Sequence, residues 1–177
     1  MITGIVLSII ILQRIIELFI AKRNEKWMKD QGAFEAGASH YPFMVAMHVF
    51  FFIALISEVF YFQRQISAIW PIWLTVFSTV QLLRIWCLAS LGKYWNTKII
   101  VLPNAKVVRK GPYKWLRHPN YIIVATELLV LPLLFNAFIT AVVFSLLNIW
   151  MMSVRIPAEE QALRKATNYT EEFQLNK

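Results

Sequence analysis

The chain has 177 residues, of which 58% are hydrophobic and only 16% are charged. A water-soluble domain of this length cannot hide so large an apolar fraction in one core, so the composition excludes an ordinary soluble fold and indicates a membrane protein. The formal net charge is +8, but the basic residues cluster between apolar runs, which favours anionic lipid head groups as partners and argues against nucleic acid.

Apolar segments long enough to be transmembrane helices begin at the N-terminus. About 20 apolar residues are needed to cross the hydrocarbon core of a bilayer as a helix. Three segments meet this length and are predicted to span: residues 2–21, 43–62 and 69–91. With the hairpin described next, the sequence predicts an all-α integral membrane protein of about five transmembrane helices.

Two shorter apolar segments, residues 121–134 and 137–154, follow a long polar stretch. Only Phe135 and Asn136 separate them, which predicts a tight helical hairpin that is tilted or incompletely spanning. No internal repeat, low-complexity tract or linker divides the chain, so we expect a single domain over residues 1–177.

The distribution of Lys and Arg between these segments predicts the topology. Residues 22–42, 92–120 and the tail from Arg155 hold four, seven and four basic residues, whereas the loop at 63–68 holds only Arg64. Basic residues are enriched in cytoplasmic loops. We therefore expect the N-terminus outside and the C-terminal tail in the cytoplasm.

Ionisable residues inside the apolar segments are costly unless they are paired or face a cavity. Arg14 and Glu17 are three residues apart and are expected to pair or to point into a bundle interior. Arg84 is interpreted as a residue that snorkels to the cytoplasmic interface. Glu127 shares a helical face with Asn120, and it is expected either to line a polar cavity or to pair with Arg14 or Arg84.

Metal and disulfide chemistry are not expected. Cys87 is the only cysteine and lies inside an apolar run. His40, His48 and His118 are far apart in sequence, and no carboxylate stands at metal-ligand spacing from them.

The polar stretch 92–120 mixes basic and aromatic residues, as expected at a membrane interface. Its end departs from this pattern because Pro119 disfavours helical geometry at His118, so the chain is predicted to bend where the fourth apolar segment begins. Irregular backbone at a membrane surface usually lines a site.

The tail opens with Arg155-Ile156-Pro157-Ala158-Glu159-Glu160. Pro157 is placed to start a new helix with two acids in its first turn, and Glu160 can pair with Arg164 four residues on. Periodicity alone therefore explains the two acids without a functional role.

Taken together, two motifs and the hairpin between them resemble the isoprenylcysteine carboxyl methyltransferase family. The first motif is Gly111-Pro112-Tyr113-Lys114-Trp115-Leu116-Arg117-His118-Pro119-Asn120-Tyr121, and the second is Arg155-Ile156 leading into Glu159-Glu160. The resemblance covers about residues 92–172 in motif order and spacing. The first two spans resemble those of a bacterial branch of the family similar to alkylpyrone O-methyltransferases. This resemblance implies that the protein lies in a bacterial plasma membrane.

The resemblance implies an S-adenosylmethionine-dependent O-methyltransferase that acts on a carboxylate or hydroxyl oxygen of a lipophilic small molecule, either prenylcysteine-like or alkylpyrone-like. It implies a donor site made by the cytoplasmic loop and the C-terminal helix, without a Rossmann domain. The donor-binding residues it implies are Ala105, Lys106, Val107, Val108, Tyr113, His118, Pro119, Asn120, Tyr121 and Glu159. It assigns Arg155 to the substrate and makes Arg117 and Glu160 the catalytic pair.

Two other functions stay open. Sterol and steroid reductases of the related type carry a similar Arg-His-Pro-Asn-Tyr motif and use NADPH, so a membrane reductase is the first alternative. The second is a non-catalytic membrane adaptor in which the charged residues are structural.

Overall fold

The computed structural model describes residues 2–173, except the side chains of residues 2, 3 and 5–7. The predicted all-α membrane fold is confirmed. Six α-helices follow in chain order: α1 (Ile2–Asp30), α2 (Tyr41–Tyr61), α3 (Trp70–Leu91), α4 (Pro119–Leu134), α5 (Phe138–Ala166) and α6 (Tyr169–Glu172). Two strands, β1 (Phe34–Ala36) and β2 (Ile99–Val101), pair antiparallel, with Glu35 opposite Ile100.

Three helical segments within the described residues are long and apolar enough to cross a membrane: Ala38–Tyr61, Trp70–Tyr94 and Phe138–Ala166. The shorter apolar helix α4 forms the predicted hairpin with α5, and Asn136 turns the chain between them with a φ of 53°. The expected first span, residues 2–21, is helical as part of α1. Its insertion in a membrane stays a prediction, as does the count of five spans.

The chain folds into two compact units built from interleaved segments. The first unit comprises Met1–Ala38, Leu91–Val107 and Glu159–Lys177, and the second comprises Ser39–Ser90 and Val108–Ala158. The expectation of one domain over residues 1–177 stays a prediction.

In the first unit, β1 and β2 are joined to α1 by a charged cluster. The Lys98 ammonium donates to the carboxylates of Glu25 at 3.0 Å and Glu35 at 3.1 Å. Burial by itself raises the pKa of Glu25, but the hydrogen bonds from Lys29 and Lys98 outweigh it and hold that pKa below its usual value. Burial lowers the pKa of Lys98 in turn, and the two carboxylates reverse this effect, so the pKa is raised. Glu25 and Lys98 therefore stay charged around neutral pH.

The apolar part of α1 also carries an ion pair in this unit. Arg14 donates to the buried carboxylate of Glu17 at 2.7 Å, and Gln13 donates to the other carboxylate oxygen at 3.1 Å. The pairing expected from their spacing is confirmed. Large apolar side chains such as Leu12 and Phe19 are exposed on the same helix, as expected for a surface that faces lipid.

In the second unit, a buried ion pair joins α3 to α4. Arg84 donates through Nε to Glu127 at 3.0 Å and through a second nitrogen to the other carboxylate oxygen, and Gln81 donates to Glu127 at 2.7 Å. The interpretation of Arg84 as a snorkelling residue is wrong because only 4% of its surface is exposed. Of the alternatives for Glu127, the structure shows pairing with Arg84.

A second buried carboxylate holds the start of α5. Glu58 of α2 accepts hydrogen bonds from the backbone N–H of Ile139 at 3.2 Å and from the N–H and hydroxyl of Thr140 at 2.7 and 2.8 Å. The first N–H groups of a helix have no intrahelical acceptor. Glu58 supplies one from another helix and thereby fixes the α4–α5 hairpin against α2.

The two prolines near the motifs act differently. The predicted bend at His118 is confirmed, since this residue has a φ of −131° and a ψ of 58° and α4 begins at Pro119. The prediction that Pro157 starts a new helix is wrong, because α5 runs through it to Ala166. A proline removes one backbone N–H, and an apolar helix tolerates this loss where neighbouring groups satisfy the freed carbonyl.

Candidate active site

In the first unit, the loop that precedes the first motif is hydrogen-bonded to the tail. The N–H of Asn104 donates to the carbonyl of Ala166 at 2.8 Å, and the N–H of Val107 donates to the side chain of Asn168 at 2.9 Å. The loop and the end of α5 are thereby held together. Asn104 adopts a φ of 61°, which an asparagine tolerates better than most residues.

Glu160 accepts hydrogen bonds from two side chains of the tail. Arg164 donates to one of its oxygens at 3.0 Å, as the spacing predicted, and the hydroxyl of Tyr169 donates to the other at 3.3 Å. Tyr169 is itself almost fully buried and packs against the Phe173 ring at 4.9 Å. The two donors fix the orientation of the carboxylate.

In the second unit, the first motif opens with a tightly packed turn at Gly111–Lys114. Gly111 has a φ of 53°, and a Cβ atom there would lie 2.2 Å from the Ser90 hydroxyl and 2.7 Å from the indole nitrogen of Trp86. Only glycine fits this position. The turn then buries Tyr113, whose side chain hydrogen-bonds the Cys87 thiol of α3.

The bend at Pro119 brings aromatic and charged groups of α4 and α5 together. The rings of His118 and Tyr121 lie 5.5 Å apart. The guanidinium of Arg155 sits 5.9 Å from the centre of the Tyr121 ring, and its Nε donates to the Tyr121 hydroxyl at 3.5 Å. Arg155 is 97% buried, so the structure holds a cation inside the second unit.

Two residues of this region carry polar atoms that have no hydrogen-bond partner. The side-chain oxygen of Asn120 is buried and unpaired, and both ring nitrogens of His40 are in the same state. Arg155 lies close enough to His40 for its charge to act on the imidazole. Buried polar groups are normally paired, so the unpaired groups of Asn120 and His40 mark a candidate place for a ligand.

The sequence profile of the Isoprenylcysteine carboxyl methyltransferase (ICMT) family matches residues 72–165, which cover more than half of the chain. The chain belongs to the isoprenylcysteine carboxyl methyltransferase family. The match begins in α3 and ends near the end of α5, so it includes the bend at Pro119, the buried Arg155 and Glu160.

Relatives of this family member extend over nearly its whole length. It is 47% identical to the "Uncharacterized protein YpbQ" of Bacillus subtilis over 161 residues, which cover 91% of this chain and 96% of that protein. It is 29% identical to an "Uncharacterized protein" of Haemophilus influenzae, again over 161 residues, with 90% and 94% covered. No solved structure matches the chain.

The residues that family resemblance assigned are divided between the two units. The first unit contains Ala105, Lys106, Val107, Glu159 and Glu160, and the second contains Val108, Tyr113, Arg117, His118, Pro119, Asn120, Tyr121 and Arg155. Within the second unit the structure brings Tyr121 together with His118 and Arg155. Tyr113 instead faces Cys87, Pro119 is buried, and Arg117 has an exposed side chain.

Sequence reasoning missed three residues of these ICMT clusters. Tyr169 bonds to Glu160 of the tail and Asn168 to Val107 of the loop, but they follow the second motif by nine and eight residues and show no periodic signal. His40 was considered only as a metal ligand. The available signal was the position of His40 directly before an apolar helix, because the apolar side chains of that helix offer no hydrogen-bond partner to an imidazole.

Proposed function

We propose that this family member is an S-adenosylmethionine-dependent O-methyltransferase that methylates a carboxylate or hydroxyl oxygen of a lipophilic substrate, prenylcysteine-like or alkylpyrone-like, at the membrane. The observation that carries the proposal is the cluster at the start of α4. There the buried Arg155 contacts Tyr121, whose ring packs against His118, and its charge acts on His40. Asn120, next to Tyr121 in the chain, and His40 carry buried polar atoms without a partner.

The residues of the second unit fit the donor. An adenine amine and ribose hydroxyls donate hydrogen bonds, and the Asn120 oxygen and a His40 nitrogen are unpaired acceptors of the matching kind. The rings of His118 and Tyr121 offer aromatic faces, which attract a cation such as a sulfonium. The family resemblance extends donor binding to the Ala105–Val108 loop and to Glu159.

The chain's own groups have three tasks in the reaction. When bound, S-adenosylmethionine supplies a methyl group on a positively charged sulfur, and the acceptor oxygen takes this group as the sulfur becomes a neutral thioether. Arg155 holds an anionic acceptor oxygen, and Arg117 is proposed as a second cation that binds the same oxygen. A carboxylate acceptor needs no base, whereas for a hydroxyl acceptor the family resemblance assigns Glu160 as the group that takes the proton.

Donor binding is the direct test of this proposal. His118→Ala and Tyr121→Phe should each weaken the affinity for S-adenosylhomocysteine, measured by calorimetry on purified protein, by about tenfold. Two matched variants serve as controls: His48→Ala on α2, whose ring contacts the Met44 carbonyl, and Tyr61→Phe at an exposed position. Both controls should bind like the wild type.

Thermal stability measured with each ligand distinguishes the reaction classes. A rise in Tm with S-adenosylhomocysteine and none with NADPH is expected for a methyltransferase, and the reverse would establish a reductase. Binding of neither compound would support the adaptor. Incubation with labelled S-adenosylmethionine and a membrane-lipid extract, followed by identification of the labelled product, then reveals the acceptor.

A further inference from the structure

The buried face of α5 carries a polar residue whose role the proposed methyl transfer leaves unexplained. This face repeats every three or four residues, as expected for one side of a helix: Ala141, Phe144, Asn148, Met151 and Arg155. Asn148 therefore lies between two apolar side chains, on the same side of α5 as Arg155.

Asn148 is 1% exposed, and its side-chain oxygen has no hydrogen-bond partner. It lies ten residues after the start of α5, or about 15 Å along the helix, which is half the depth of a typical hydrocarbon core. An amide oxygen left unpaired at that depth costs several kcal/mol. Thr140, which is also buried near the start of α5, does have a partner, because its hydroxyl donates a hydrogen bond to Glu58.

Ser145, one turn before Asn148 on α5, shows the same anomaly. Its hydroxyl oxygen is buried and has no partner. Five other helical hydroxyls donate to a carbonyl three or four residues earlier, which is the usual way to pair a hydroxyl in an apolar helix: Thr75, Thr79, Ser90, Thr126 and Ser153. Two neighbouring polar side chains of α5 thus have buried, unused hydrogen-bonding capacity.

We infer that Ser145 and Asn148 form a second, polar subsite for the lipophilic methyl acceptor, here called the Asn148 subsite. The inference rests on the proposed function, because it takes Arg155 as the residue that holds the reacting end of the acceptor. Asn148 is seven residues from Arg155, which corresponds to about 10 Å along the helix. The acceptor class is therefore an amphiphile that carries a hydrogen-bond donor, such as a hydroxyl or an amide N–H, about 10 Å from its methylated oxygen.

This subsite would select among lipids of similar length. A lipid without the donor leaves the Asn148 oxygen unpaired after water has been excluded, whereas a lipid with the donor pairs it. Chain length and apolar area alone discriminate much less. The Asn148 subsite therefore determines specificity and does not contribute to the chemical step.

The test uses fatty acids as probes, with binding to purified full-length protein measured in detergent in the presence of S-adenosylhomocysteine. One series carries a hydroxyl at successive carbons, and the reference is the unsubstituted acid of the same length. The wild type should prefer the acid whose hydroxyl lies about 10 Å from the carboxylate by about tenfold in Kd. Asn148→Leu should abolish the preference, while Met151→Leu, at the next buried position, should keep it.

Thermal stability without probes gives a second readout. Because Asn148→Leu removes the unpaired amide oxygen and inserts an apolar group of similar size, the Tm should stay equal or rise. A preference that is absent in the wild type, or unchanged in Asn148→Leu, overturns the subsite, and so does a clear drop in the Tm of that variant. Neither measurement requires methyl transfer. A protein that transfers no methyl group but shows the Asn148-dependent preference would refute the proposed function and leave the subsite standing.

Discussion

At the scale of single residues, the carboxylate of Glu160 has both a structural and a proposed catalytic role. The pair with Arg164 was predictable because acidic and basic residues four positions apart lie on one helical face. The hydrogen bond from Tyr169 was not predictable, because it depends on how the chain turns between α5 and α6. Tyr169 is buried and Arg164 is exposed, so the tyrosine is the more rigid of the two partners.

Substitution of Glu160 separates these roles. If its carboxylate accepts the acceptor's proton in the transition state, Glu160→Gln should lower kcat and kcat/KM together by about 100-fold or more, with the affinity for S-adenosylhomocysteine nearly unchanged. The amide is nearly isosteric and can still accept the Tyr169 hydrogen bond. Steady-state kinetics with the lipid acceptor and calorimetry with the donor product measure the two quantities.

The matched control is Arg164→Ala, which breaks the ion pair but removes no proposed catalytic group. An exposed helical pair of this kind contributes about 0.3–0.5 kcal/mol, so the variant should stay folded and active. If Arg164→Ala were as inactive as Glu160→Gln, the catalytic assignment of Glu160 would be withdrawn.

At the scale of helices and turns, the sequence predicted most apolar helices but not what joins them. Hydropathy located α2 and α3 and the α4–α5 hairpin because long apolar runs have a length that the bilayer sets. The pairing of β1 with β2 was not predicted, because strands of three residues are too short to show an alternation of apolar and polar residues. The prediction that Pro157 starts a new helix failed because it used a rule from water-soluble helices, in which proline favours the first turn. In this protein α5 continues through Pro157. The contact between Arg84 and Glu127 was only one of several open pairings, since periodicity does not reveal which helices are neighbours.

Removal of one partner of the buried Arg84–Glu127 pair should destabilise the contact between α3 and α4 far more than removal of both. Arg84→Met leaves the Glu127 carboxylate buried without its cation and should cost about 3–5 kcal/mol of unfolding free energy. The double variant Arg84→Met with Glu127→Leu removes both charges and should recover most of that loss. Unfolding in a detergent titration measures all three proteins, and a double variant as unstable as the single one would show that the pair acts through other contacts.

The turn at Gly111 should be the most sensitive backbone position of the first motif. Gly111→Ala adds a methyl group that overlaps Ser90 and Trp86, and it forces alanine into a left-handed conformation. Gly92→Ala is the matched control, because its φ of 54° is nearly the same and nothing lies within 4 Å of the added Cβ. Both variants incur the conformational cost of about 1–2 kcal/mol. Only Gly111→Ala should also lower the affinity for S-adenosylhomocysteine, and equal effects on affinity would exclude the steric explanation.

At the scale of the whole molecule, the sequence and the structure agree on an apolar protein with charge concentrated in few places. Exposed apolar side chains cover the long helices, and this exposure is stable only in contact with lipid. The family resemblance came from short motifs whose order and spacing are visible in the sequence. The unpaired groups of His40 and Asn148 were not visible there, because whether a polar group finds a partner depends on the packed structure.

The orientation in the membrane is the last prediction, and it follows from the excess of Lys and Arg in 22–42, 92–120 and the tail over the loop at 63–68. Cys87 is fully buried, so the wild type should give little background with a membrane-impermeant maleimide. Gln65→Cys and Glu171→Cys place one exposed thiol in the 63–68 loop and one in the tail. In intact cells Gln65→Cys should react at once, whereas Glu171→Cys should react only after the membrane is permeabilised. The reverse pattern would put the tail, and with it Glu160, on the outer face, where a cytoplasmic methyl donor does not reach.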